Sequence, residues 1–106
     1  MPPSLTFDTS RRNDGTPALA AAGEIDLSNV DEFAQALTTA IGAAGGATVT
    51  VDLSAVEYLD SAAINCLFTH AEHIHIIAKP LMMRVFAVSG LDELTTVKPA
   101  PPTAGH

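Results

Sequence analysis

The chain carries 106 residues, 47% of them apolar and 16% charged, with a formal net charge of −7. That length holds one domain with a core of its own and no need of disulfide staples. Five Lys or Arg against twelve Asp or Glu argue against nucleic acid or an anionic membrane as partner, since both demand a basic footprint; a basic protein partner stays compatible.

Leu5, Phe7 and Thr9 alternate with polar residues and predict a first strand. Arg11 to Gly15 reads as a turn, with Asp14-Gly15 as the hairpin signal. A weakly marked second strand runs from Pro17 to Ala22 and ends at Gly23. Ser28 is the expected N-cap of a first helix, with Asp31 completing a variant capping box. Val30, Phe33, Leu37 and Ile41 recur at helical spacing, and Gly42, Gly45 and Gly46 are expected to stop that helix. Val49 to Leu53 alternates as the central strand, followed by a polar link with apolar touches at Val56, Tyr58 and Leu59.

Asp60-Ser61 opens a second helix reaching about Glu72, with Ile64, Leu67, Phe68 and Ala71 inward. The β-branched Ile74, Ile76 and Ile77 predict a short strand. Lys79-Pro80 starts a third helix, with Pro in the first turn. Its inward residues are expected to be Met83, Phe86 and Ala87, with Ser89-Gly90 closing it and Leu91 packing the exit. Leu94 to Val97 would form a last edge strand. Residues 1–97 are thus the expected domain. The stretch 98–106, KPAPPTAGH, reads as a Pro-rich disordered tail. Strands separated by helices imply right-handed crossovers. The expected fold is α/β: a mixed, mostly parallel sheet of four to five strands with about three helices packed on it.

Several residues invite chemistry. Ser61 lies between an acid and a helix start, where a phosphate can be added and sensed, although Asp60 or Ser61 could equally serve as a plain helix cap. Asp52 and Glu57 read as a solvated face, since no nucleophile or oxyanion hole accompanies them. His70, His73 and His75 lack the Cys or carboxylate companions of a zinc site and read as surface histidines. Cys66, the single cysteine, reads as a buried structural thiol and leaves no intramolecular disulfide. No phosphate-cradling loop is present, and no cofactor or metal is expected. The N-terminus MPPSLTFDTSRR lacks a secretory apolar core. With a lone cysteine, the expected location is cytoplasmic.

Three segments in order carry a family likeness: Gly23-Glu24-Ile25-Asp26; Val51-Asp52-Leu53-Ser54 through Asp60-Ser61; and Pro80 through Arg84 with Phe86 to Leu91. Across about residues 20 to 95 the chain resembles the STAS-domain family, and within it the bacterial anti-anti-sigma factors (anti-sigma factor antagonists). The resemblance implies a STAS-like single domain with Ser61 as the phosphorylation site. It implies that the unphosphorylated protein binds an anti-sigma factor of the histidine-kinase-like ATPase type and so frees a sigma factor. Phosphorylation by that kinase dismisses the antagonist, and a phosphatase resets it. Asp26, Asp60, Ser61, Ala62 and Ala63 are the partner-binding positions this implies, and no enzyme activity.

Two features depart from the family. Ala62 and Ala63 stand where it usually has a second hydroxyl and a glycine, so a methyl group is expected to face an approaching partner. The segment from Asp60 to Pro80 is shorter than usual by about two helical turns. These departures keep an alternative open: a phosphorylation-independent STAS module docking on a transporter ATPase, a stress-sensing complex or a small ligand.

Overall fold

A computed structural model describes residues 5–101. Five strands lie in spatial order β1-β2-β3-β4-β5, with β1 (Thr6–Arg11) antiparallel to β2 (Pro17–Ile25) and every later pairing parallel. The remaining strands are β3 (Val49–Leu59), β4 (Ile74–Ala78) and β5 (Val97–Pro99). Helices α1 (Val30–Ala43), α2 (Ser61–Thr69) and α3 (Met83–Ser89) supply the crossovers. The α/β class, the mixed sheet and the three helices are as the sequence predicts.

Alternation sets the layers. Val49, Val51 and Leu53 of β3 and Ile74, Ile76 and Ala78 of β4 are buried in one cluster with Phe33 and Leu37 of α1, Leu67 of α2 and Phe86 of α3. Thr50, Asp52 and Ser54 point to the other face, as period-2 geometry demands. Thr50 and Asp52 sit in register with Ala18 and Ala20 on one side and His75 and Ile77 on the other. Burying that cluster is the main stabilising term: truncating Phe33 or Phe86 costs about 3–5 kcal/mol.

Several boundaries differ from the sequence reading. Strand β2 passes through Gly23 to Ile25, because Gly23 takes φ +108 at a register shift that only glycine accommodates without strain. Strand β3 passes through its polar link to Leu59, since Ala55, Val56, Tyr58 and Leu59 pair with Ala22 to Ile25 of β2. Helix α1 runs on through Gly42 to Ala43, beyond its expected stop. Its N-cap is Asn29 without a side-chain cap bond, so the Ser28–Asp31 capping box does not form.

Helix α2 ends at Thr69, and a 3-10 turn, Ala71–His73, leads into β4. Another, Pro80–Met82, precedes α3. Of the three inward residues expected there, Phe86 is buried, Met83 half-buried and Ala87 exposed. Gly90 closes the helix in the left-handed region (φ +84), and Leu91 packs beneath it as expected. The last strand is Val97–Pro99, not Leu94–Val97: Ile76 donates its N–H to the Thr96 carbonyl, and Leu94 is exposed. Lys98 and Pro99 therefore belong to the sheet, not the tail; Ala100 follows them and donates its N–H to the Ala78 carbonyl at 2.7 Å, and residues 102–106 of the expected tail lie outside the described residues.

Candidate functional site

Strands β2 and β3 run side by side to their carboxyl ends, where Ile25 pairs with Leu59. The next residues, Asp26 and Asp60, are thereby delivered side by side to the carboxyl end of the strands. The Asp60 N–H donates to the Ile25 carbonyl at 3.2 Å, which joins the two chain exits.

Asp60 is the N-cap of α2. Its Oδ1 accepts the Ala63 N–H at 3.0 Å, satisfying one donor of the first turn. Its Oδ2 accepts the Leu27 N–H at 2.9 Å, tying the β2–α1 loop to the entrance of α2. Both carboxylate oxygens are thus engaged with backbone. Ser61 is the first residue of α2 and is exposed, and among the described residues its hydroxyl has no hydrogen-bond partner. That hydroxyl is left exposed beside a helix N-terminus, where the dipole favours negative charge.

Asp26 is half-buried and holds its own loop. Its Oδ1 accepts the Ser28 N–H at 2.9 Å and the Ser28 hydroxyl. Asn29 pins the same loop, accepting the Asp26 N–H at 2.9 Å and donating to the Glu24 carbonyl at 2.9 Å. Ala62 is half-buried. Ala63 is fully buried in the apolar cluster. The methyl expected to face a partner therefore faces the core, because the third residue of α2 falls on its inner side.

The other candidate groups lie apart from Ser61. Glu57 stands on β3, not in a loop, and pairs with Lys79 at 3.0 Å. Asp52 accepts the Ser54 N–H at 2.9 Å. His70 Nδ1 lies 2.9 Å from the Cys66 carbonyl, and its Nε2 lies 3.5 Å from the Thr38 hydroxyl, so it links α2 to α1. His73 and His75 are exposed, and no group of three His, Cys, Asp or Glu converges among the described residues. Cys66 is buried; desolvation first, then the nearby Asp31 charge, push its thiol up, which keeps it protonated and slow to react.

Ser61 stands at one end of an open groove of about 670 Å³ between α2 and α3, floored by Leu59, Ile64 and Phe68. The sequence reading did not single out its far wall, Leu81, Val85 and Val88. The signal was present: these residues recur at i, i+4 and i+7, a second apolar stripe beside the one that buries Phe86. A larger hollow of about 850 Å³ lies between β1 and α1, but it shares no lining residue with this groove. Among the described residues, no helix is long and apolar enough to cross a membrane.

The family described as Mlab, STAS domain matches residues 9–96. No curated protein was found to match the chain by sequence. Among solved structures, an anti-sigma factor antagonist from Mycobacterium paratuberculosis superposes with TM-score 0.79 at 26% identity, over 95% of this chain and 88% of that one. The anti-sigma factor antagonist SpoIIAA in its unphosphorylated form gives TM-score 0.69 at 18% identity, over 92% and 90%. The Bacillus cell fate determinant SpoIIAA in its phosphorylated form gives 0.64 at 19%, over 92% and 93%. The last two likenesses speak for the fold alone.

Proposed function

Because the chain belongs to the STAS-domain family, we propose that it is an anti-sigma factor antagonist switched by phosphorylation of Ser61. Unphosphorylated, it binds an anti-sigma factor of the histidine-kinase-like ATPase type and frees a sigma factor; the kinase then modifies Ser61, and a phosphatase restores it. The observation that carries this reading is the outward Ser61 hydroxyl, beside an aspartate whose two oxygens are already engaged. On this reading the protein acts by binding a partner, in keeping with its place in the STAS-domain family.

The physics of the switch is local. A phosphate adds about −1.5 to −2 charges. Within the free chain the first turn of α2 tolerates it, which contributes up to ~1 kcal/mol at an exposed position. Against a docked partner the same charge must be desolvated next to Asp60, and a penalty of only ~1.4 kcal/mol weakens a complex tenfold. The modification expels a partner without refolding the antagonist.

Intact-protein mass spectrometry after incubation with each anti-sigma kinase of the host and ATP tests the proposal. One phosphate at Ser61, absent from Ser61→Ala, is the expected result; no phosphate with any such kinase would remove it. The second reading, a phosphorylation-independent STAS module, draws on Ala62, which leaves Ser61 without a neighbouring second hydroxyl. Retrieval of a transporter ATPase subunit in place of an anti-sigma factor would select it.

A further inference from the structure

Three apolar side chains on and just before α3 do no work in the core. Leu81 is 91% exposed, Val85 38% and Val88 81%, while α3 buries only Phe86. Spaced by four and three residues, they form a stripe along one side. With Leu59, Ile64 and Phe68 they line the groove that ends at Ser61. A contiguous exposed apolar surface of this kind marks an interaction site.

Charge narrows the occupant. Arg84 is the one cation in the lining and Asp60 the one acid. Asp60 has both oxygens on backbone N–H groups, and the one ion pair among the described residues joins Lys79 to Glu57. Arg84 is therefore left without a carboxylate. A second copy of this chain presenting the same groove would bring another guanidinium and no free acid.

We propose that the groove receives an amphipathic helix of the protein that docks at Ser61, with apolar side chains one turn apart against Leu81, Val85, Val88 and Phe68, and a carboxylate against Arg84. This rests on the reading of Ser61 as a partner-binding site and adds the chemistry of the element that docks there. It also couples groove to switch. A phosphate on Ser61, lining the same groove, offers Arg84 an anion within the chain and competes with the partner's carboxylate.

The test is the affinity of the full chain for the anti-sigma kinase that modifies Ser61, measured for wild type, Leu81→Glu, Val88→Glu, Arg84→Gln and Arg84→Glu. All three positions are exposed, and circular dichroism checks that each variant is folded. Leu81→Glu and Val88→Glu are expected to weaken binding about tenfold or more. Arg84→Glu is expected to weaken it further than Arg84→Gln, because a like charge replaces a lost attraction.

Wild-type affinity in both apolar variants would overturn the groove while leaving Ser61 its role. Wild-type affinity in Arg84→Glu would overturn the partner's carboxylate. A dimer that Val88→Glu turns into a monomer in sedimentation, with kinase affinity unchanged, would hand the groove to a second copy and overturn the proposal. A wild-type chain that binds none of the host's anti-sigma kinases fails the reading of Ser61 first, and the proposed occupant falls with it.

Discussion

Two helix entrances in this molecule carry the same ingredients and use them differently. Before α1, Asp26 is followed two residues on by Ser28; before α2, Asp60 is followed at once by Ser61. At the first entrance the carboxylate turns back on its own serine, taking both the N–H and the hydroxyl of Ser28. At the second it takes the Ala63 and Leu27 N–H groups, and the Ser61 hydroxyl remains outward. Whether a serine beside an aspartate is available for modification depends on where the carboxylate's lone pairs go. The two entrances are also joined, because Leu27 of the first is held by Asp60 of the second.

Among changes at the two entrances, the largest effect should come from cutting that joint. Asp60→Ala removes a helix cap and the tie to Leu27, each about 1 kcal/mol. At ~4 °C per kcal/mol for a domain of this size, the melting temperature should fall by about 8 °C; an unchanged melt would show that the caps are ornamental. Asn29→Ala should cost somewhat less, ~1.5 kcal/mol, because it strips partners from the Asp26 N–H and the Glu24 carbonyl at a half-buried position. Urea unfolding midpoints rank the two directly.

Ser61→Asp should leave the fold alone, with native circular dichroism, yet weaken the anti-sigma factor by tenfold or more, about 1.4 kcal/mol. Equal affinity of variant and wild type would count against charge as the switch. Ser28→Ala should do least: under ~0.5 kcal/mol in stability, no change in partner affinity and no change in phosphate uptake. Phosphate lost on removing Ser28 would reverse the contrast between the entrances.

Much of the fold was legible from periodicity. The stripe Val30, Phe33, Leu37 and Ile41 located α1, and alternation over Val49 to Leu53 located the central strand and its buried face. What was not legible was made by pairing. The end of β3 contains Ser54, Ala55 and Glu57, which have no strand pattern of their own, and it is extended because β2 beside it supplies partners from Ala22 to Ile25. Ser28 looked like the better cap by residue type, and nothing local says that Asp26 would claim its hydroxyl. The direction of the Ala63 methyl was likewise hidden, since it depends on how α2 is rotated against the sheet.

The linear chain was enough to establish one domain, an α/β layering, the family and the serine at the second helix entrance, because each is written in spacing and residue type within a few turns of backbone. Folding in three dimensions settled which lone pairs Asp60 has left, that Asp26 and Asp60 share the carboxyl end of the strands, and that Leu81, Val85 and Val88 stay exposed in the groove beside Ser61. Those outcomes depend on contacts between residues some 20 to 35 positions apart, and hydrogen bonds and burial of that range are not encoded in any local pattern.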